Sequence, residues 1–409
     1  MQSKQNSPEA KLQMKDLQLN SLFETIRSIN DNASEENLYK IYRFTLYSNQ
    51  SIDKLALYVD DQDWYCKSSF GTKNKYQEIS LLEKVKQIKE ITVLKDKVFE
   101  DTPFEEFDLV IPVRHKETIL AYAFIGVPAK AKTEGLLDID FIEALTNIII
   151  VAIENKKLAR KEQQQEAFKR QLEIAKDVQS LLFPKKLPYN DNLKIVASYL
   201  PHHSVGGDYY DFIEKGTEKF LVCIADVSGK GVPAAIMMSN FQAALRVLVR
   251  KNTELKNIVE ELNALILQNS GGENFITAFF AEYHYAQKSL TYINAGHNPP
   301  FLFTSDTQKH FLEEGTTILG GFETLPFLNI CTINKLENFL LFCFTDGFIE
   351  TYNEKGEEFG VDQLSDFIVK HRNMDQRELH SRLIKHLYHF KGKNMYIDDI
   401  TLLSCSVRH

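Results

Sequence analysis

LLDIDFIEALTNIIIVAIENKKLARKEQQQEAFKRQLEIAKDVQSLLF, residues 136–183, contains neither Pro nor Gly, and its middle is built from strong helix formers. A helix of this length reaches roughly 70 Å at about 1.5 Å per residue, beyond the diameter of a small domain, so the stretch predicts a connector between two bodies. Phe141, Leu145, Ile148 and Ala152 form one apolar seam at 4-3-4 spacing; Phe168, Leu172, Ala175, Gln179 and Leu182 form a second, out of register with the first. Two such seams around a polar middle predict a parallel coiled coil in a homodimer with a stutter. A helix packed along its own domains is the alternative.

On the N-terminal side, within an expected domain over 1–135, residues near 20 to 135 alternate helix-like and strand-like patterns. LYKIYRFTLYS is amphipathic, while DKLALYVDD, DLVIPVRH and ILAYAFIGV read as strands. A small sheet whose last strand runs into FIEALTNIIIVAIENKKLAR resembles a GAF sensory domain, which implies an unidentified ligand or protein signal. Trp64, Tyr65 and Cys66 are read either as pocket lining or as plain core and rim.

On the C-terminal side, Pro184 and Pro188 in LLFPKKLP end the helix, so the connector spans 136–186 and a new domain occupies 187–409. Strand-like runs recur at 195–199, 220–225, 276–284, 289–294, 301–304, 339–345 and 400–407, mostly joined by short turns that favour antiparallel pairing. Helices are predicted at 233–251, opened by a proline in the first turn, and at 253–269, 361–371 and 375–390. The class is α+β.

Composition narrows the function. Hydrophobic residues are 44% and charged residues 25% of the 409, a normal globular balance. The five scattered cysteines give neither a disulfide framework nor a zinc spacing, which fits a reducing, cytoplasmic setting. The longest apolar run, Ile119–Ile125, is far short of the roughly 20 residues of a membrane span. Net charge is −8, but residues 156–186 hold 9 Lys/Arg against 4 Asp/Glu, while 187–409 hold 20 against 27. The acidity of the C-terminal part argues against nucleic acid as a partner, because phosphate backbones require a basic footprint.

The chemistry lies in aspartates placed where strands meet loops: VGGDYYDF (Asp208, Asp211), LVCIADVSGKG (Asp226), LLFCFTDGFIE (Asp346) and YIDDITLL (Asp398, Asp399). Any one alone is a turn former or a cap. Together they would repel, since unit charges about 4 Å apart cost about 4 kcal/mol at an effective dielectric near 20. Lys230 is the only basic residue within these motifs. Hard divalent cations are the natural counter-charge for a set of oxygens, which predicts a dinuclear Mn²⁺ or Mg²⁺ site able to ionise a water and clamp phosphate oxygens.

The order GGDYYD, ADVSGKG, FIT, NAGHNPP, TDGFIE and DDIT, over about residues 175–407, resembles the bacterial branch of protein phosphatase 2C, the stage II sporulation protein E type that includes regulators of sigma-factor partner switching. The resemblance implies a four-layer αββα fold of two antiparallel sheets with metals in the cleft between them. It implies Asp226 bridging both ions, the carbonyl of Val227 assisting, and Asp346 and Asp398 completing the inner shell. Asp208 and Asp211 remain unranked between direct and water-mediated contact, and Asp399 is weaker. Gly207, Gly229, Gly231, Gly347 and His297 are supporting residues, with His297 read either as ligand or general acid, or as shaping a turn. The implied chemistry is attack of an ionised, metal-held water on phosphorus without a phosphoenzyme, on phosphoserine or phosphothreonine of a partner such as a STAS-like anti-sigma antagonist. In this family the helix pair after Asp226 looks like a switch.

Other readings compete less well. Cys223 sits in an apolar strand with no cysteine-phosphatase loop, GxxxxGK[ST] spacing is absent, and a GGDEF-type cyclase would not require DGFIE or DDIT. The alternative from another class is a catalytically silent sensor that holds a phosphoprotein or scaffolds a dimer.

Overall fold

The computed structural model describes residues 8–50, 52–94, 99–115, 118–128, 131, 137–304 and 309–408. The first seven residues of the expected sensory domain, Leu136 at the expected start of the connector, and His409 lie outside them. The chain divides into two compact units, Met1–Glu166 and Ala167–His409. The helix Ile139–Ser180 is unbroken over 42 residues and contributes to both.

In the N-terminal unit, β1 (Lys54–Asp60), β2 (Trp64–Phe70), β3 (Thr92–Val93), β4 (Leu109–His115) and β5 (Thr118–Gly126) form an antiparallel sheet in the order β2-β1-β5-β4-β3. Strand alternation turns Leu55, Leu57 and Val59 to one face, against Leu38, Tyr42 and Leu46 of helix Glu35–Gln50 and Phe141, Leu145 and Ile149 of the long helix. Ala56 and Tyr58 turn to the other, with Phe104 and Phe124. Cys66 is buried there, Trp64 packs on the Tyr122 ring at 5.0 Å between centroids, and Tyr65 is exposed, which is a core-and-rim arrangement.

This packing gives two residues of the first expected seam another partner, while Ile148 and Ala152 stay half-buried. Phe141 and Leu145 do not wait for a second chain: the sheet face needs a cover, and they supply it together with Ile142, Ile150 and Ile153. Of the second seam, Gln179 is buried and Leu182 packs on the C-terminal unit's core. The apolar face left exposed is Ile174, Val178 and Leu181, at 4-3 spacing, with Phe168 a turn and a half before it.

The C-terminal unit has two sheets. One joins β7 (Tyr209–Lys215), β8 (Lys219–Val227), β9 (Ile276–His284), β10 (Ser289–Ala295) and β13 (Gly315–Thr316) in the order β13-β10-β9-β8-β7, with β14 (Cys331–Ile333) also on β10. The other runs β12 (Lys309–Phe311), β11 (Phe301–Thr304), β15 (Phe339–Phe344), β16 (Ile400–Val407) and β6 (Leu193–Leu200). Named pairings are antiparallel except β10 with β13. Three separate cores make four layers. Phe220, Val222 and Ile224 of β8 meet Leu341, Cys343, Leu403 and Cys405 of the opposite sheet. The intervening Leu221, Cys223 and Ala225 meet Met238, Phe241 and Leu245 of helix Val232–Arg250 and Ile258 and Leu262 of helix Leu255–Ser270. On the far side, Phe342, Phe344 and Leu402 meet helices Gly360–His371 and Gln376–Lys391. This is the expected αββα sandwich, and the alternation of each strand is what assigns its residues to one core or the next. Among the described residues, helix Val232–Arg250 alone is long and apolar enough by composition to cross a membrane; Met238, Phe241 and Leu245 pack in this core, while Val232, Ile236 and Val247 are exposed.

Candidate functional site

The sheet registers gather the aspartates. Tyr209 pairs with Ala225, so Asp208 and Asp226, one step further on each strand, stand side by side at the end of the first sheet. In the second sheet Phe344 pairs with Leu402, and the Thr345 N–H donates to the Thr401 carbonyl at 3.1 Å. That register sets Asp346, at the start of the short helix Asp346–Ile349, against the Asp398–Asp399 loop. The hydroxyls of Thr345 and Thr401 both donate to Asp208 Oδ2, at 2.9 and 2.6 Å. A carboxylate of one sheet is thus held by two side chains of the other, at the mouth of the cleft between them.

Asp208, Asp226, Asp346 and Glu350 resist ionisation. Burial, and then the charge of Asp226, raise Asp208 well above the usual carboxylate range, against the two threonine hydroxyls that lower it. Burial and the Asp346 charge raise Asp226, with Asp398 and Asp399 adding to the effect. Burial and the Asp398 charge raise Asp346, and burial and the Asp346 charge raise Glu350 at the end of TDGFIE. Carboxylates crowded until each disfavours its neighbour's charge are a site that a cation would stabilise. The donor set is oxygen only, which fits hard divalent ions. Among the described residues, no group of three or more His, Cys, Asp or Glu side chains is placed so that it could hold a metal ion without rearrangement. Mg²⁺-type ions need no such group, because they keep several waters and are held through one or two carboxylates each.

The backbone around the cluster is fitted closely. A Cβ on Gly207 would fall 2.9 Å from the Val227 carbonyl oxygen, so glycine there lets the segment before Asp208 lie close against the end of β8. A Cβ on Gly347 would fall 2.1 Å from the Asp399 carbonyl, so only glycine lets the Asp346 turn lie against the last loop. Gly229 and Gly231 lie in the turn that leads from Asp226 into helix Val232–Arg250.

Two aspartates have other occupations. Asp399 is buried, and its oxygens accept from the N–H groups of His202 (2.7 Å) and Gly207 (2.9 Å), so it pins the loop that presents Asp208. Asp211, a candidate ligand on sequence, is corrected: it is fully buried, with Arg246 Nε at 2.8 Å from Oδ2, Nη2 at 3.2 Å from Oδ1, and the Tyr209 hydroxyl also donating to it. Its position on β7, three residues after Asp208, turns it toward the helix layer. His297 is buried, its Nδ1 is 3.0 Å from Thr277 Oγ1, and burial pushes it down to about 4; the Asn294 side chain brackets its backbone in the NAGH turn.

Sequence reasoning missed Arg246, Thr345, Thr401 and Gln179, whose side-chain amide both donates to the Gly206 carbonyl (2.7 Å) and accepts from its N–H (3.3 Å). The threonines had a signal, each flanking an acidic motif as TDG and DDIT, and Gln179 lies in AKDVQSLLFP just before the motifs, where it was read only as a seam position; Arg246 had none within reach of the motifs. Lys230, the one base noted, pairs with Asp398 Oδ2 at 2.7 Å from a half-exposed position at the rim.

The fold and site have known counterparts. The family described as Stage II sporulation protein E (SpoIIE) matches residues 216–408. The chain is 31% identical over 241 residues to the phosphoserine phosphatase RsbU of Bacillus subtilis, covering 58% of this chain and 70% of that protein. It is 25% identical to the phosphoserine phosphatase RsbP of the same organism, covering 59% of this chain and 58% of that one. Among solved structures, the SiaA-PP2C domain of Pseudomonas aeruginosa superposes with a TM-score of 0.53 at 20% identity, over 60% of this chain and 98% of that one, a likeness of fold. Through its C-terminal unit the chain belongs to the SpoIIE family of PP2C-like protein serine phosphatases.

Proposed function

We propose that this chain is a cytoplasmic, divalent-metal-dependent phosphatase that hydrolyses phosphoserine or phosphothreonine on a partner-switching protein, such as a STAS-like anti-sigma antagonist. One observation carries the reading: strand register and the Thr345 and Thr401 hydrogen bonds bring Asp208, Asp226 and Asp346 of two sheets to one place, where burial and neighbouring carboxylates disfavour ionisation. Asp226, Asp346 and Asp398 would hold two Mn²⁺ or Mg²⁺ ions with the Val227 carbonyl, and Asp208 would take part directly or through water. When bound, such ions supply charge neutralisation on phosphate oxygens and a water acidic enough to attack phosphorus. The chain's own residues do the positioning. Thr345 and Thr401 orient Asp208, Asp399 fixes the loop before it, and Gly207 and Gly347 permit the close backbone approaches.

The proposal extends to three segments: a GAF-like sensor over 1–135, a connector over 136–186 that pairs two copies, and the catalytic domain over 187–409. A five-stranded antiparallel sheet flanked by the helix that leaves for the next module supports the GAF-like reading. The competing silent scaffold draws on the Lys230–Asp398 ion pair, which puts a protein cation beside an expected ligand. Hydrolysis of p-nitrophenyl phosphate by the full chain decides between them. The phosphatase requires Mn²⁺ or Mg²⁺ and loses more than about 100-fold in rate on Asp226→Asn or Asp346→Asn; a scaffold gives no metal-dependent hydrolysis with the unaltered chain.

A further inference from the structure

In the C-terminal unit, β6 and helix Gln376–Lys391 border an open cavity of about 630 Å³. Lys185, Arg377 and Lys385 line it among apolar Leu187, Ile195 and Ile384, and no acidic residue does. This reverses the local balance of a stretch that carries 20 Lys/Arg against 27 Asp/Glu. β6 is also the last strand of its sheet. Val196 and Ser198 face β16, opposite Ser404 and Leu402, whereas the Ile195 N–H turns outward and donates to the Pro188 carbonyl at 2.8 Å. By the same alternation Ala197 and Tyr199 present their backbone groups outward, beyond the part of the edge that residues 188–190 cover.

The groove is preformed and leads to the site. His380 is buried beneath it, with Nδ1 3.0 Å from Ser198 Oγ and Nε2 2.9 Å from Ser404 Oγ, which locks the helix to the strand pair. β6 ends at Leu200, and two residues later the His202 N–H donates to Asp399 in the carboxylate cluster. A chain laid along β6 is therefore directed toward the cleft.

We infer that this groove docks an extended acidic segment of the phosphorylated protein substrate, added to β6 as an edge strand with its carboxylates toward Lys185, Arg377 and Lys385. The proposal rests on the phosphatase reading, and it supplies what that cleft lacks, a means of choosing a protein by something other than its phosphate. Backbone pairing gives affinity and the cations give selection for acidic sequence.

The test uses the full chain with Mn²⁺ and two phosphoserine peptides, one with an acidic flank and one with a neutral flank. The variant Lys185→Glu/Lys385→Glu changes exposed side chains outside the carboxylate cluster. The acidic peptide is expected to have the lower KM, and the double variant to raise that KM about five- to tenfold without changing kcat, the neutral peptide or p-nitrophenyl phosphate turnover. Added salt narrows the gap between the peptides, and N-methylation at alternate residues of the acidic flank weakens it further. Equal KM for the two peptides, or a variant that slows both alike, overturns the groove while leaving the phosphatase standing. Should the unaltered chain hydrolyse no phosphoester, the phosphatase reading falls, and anisotropy of a labelled acidic peptide then judges the groove alone: equal binding to chain and variant overturns it, as does single-stranded RNA binding there as tightly as the peptide.

Discussion

Arg246 and Asp211 illustrate how much a single residue's role depends on what meets it. The Asp211 carboxylate has no exposure, while the Arg246 side chain keeps 28% of its own. Arg246→Gln is therefore expected to cost about 3–5 kcal/mol, because it strands a buried charge. Asp211→Asn is expected to cost less, since the freed guanidinium can turn to water; urea denaturation of both variants checks this, and equal losses would contradict it. Asp399 gives a parallel case. Asn in its place keeps one acceptor but sets an amide donor against a backbone N–H, an expected loss of about 2–3 kcal/mol without the collapse of metal affinity that Asp226→Asn produces. Calorimetric titration with Mn²⁺ separates the two effects. In the sequence these aspartates look alike, since YYD and DD place acids at strand ends in the same way. What distinguishes them is the partner, Arg246 from a helix 35 residues on for Asp211, and the N–H groups of His202 and Gly207 for Asp399.

At the scale of elements, near-continuous apolar runs made β8, β9, β15 and β16 legible, because each buries both faces of a strand. β7 escaped notice for a physical reason: DYYDF-like polarity reads as loop, and Asp211 is buried only because a helix brings Arg246 to it. The helix Gln376–Lys391 was legible from its apolar stripe, but its burial of His380 was not. Burial pushes His380 down to about 3, below the unfolded value of about 6.5. As pH falls, the unfolded chain takes up this proton first, so the contribution of neutral His380 is complete above about pH 6.5 and is lost progressively from there toward pH 3. His380→Gln is expected to flatten the decline in stability between pH 6 and pH 4 by up to about 1.4 kcal/mol per pH unit. Urea midpoints at three pH values measure it, and parallel slopes for the two proteins would count against a neutral buried imidazole.

For the whole molecule, the long helix bears on how two copies meet. Each of its apolar seams was legible as spacing, yet spacing alone does not say which seam a chain keeps for itself. Phe141 and Leu145 cover the N-terminal sheet, and Gln179 and Leu182 serve the C-terminal unit. If two copies pair along the connector, the face left to them is Ile174, Val178 and Leu181. Burying a large aliphatic side chain contributes roughly 1.5–3 kcal/mol, and a symmetric pair buries each of these twice. Ile174→Glu/Val178→Glu is therefore expected to convert a dimer to a monomer in light scattering at micromolar concentration, with the melting of the separate units little changed. Leu145→Glu is expected to do the opposite, unfolding the N-terminal unit because it places a charge in a dry core. The same face bears on regulation, since Gln179 lies one residue past Val178 and grips the Gly206 backbone beside Asp208. A pairing that twists this last turn would shift a carboxylate, so the monomeric variant is expected to differ from the dimer in Mn²⁺ requirement, and deleting residues 1–160 to change activity as well. Identical metal dependence in all three forms would separate the connector from the site.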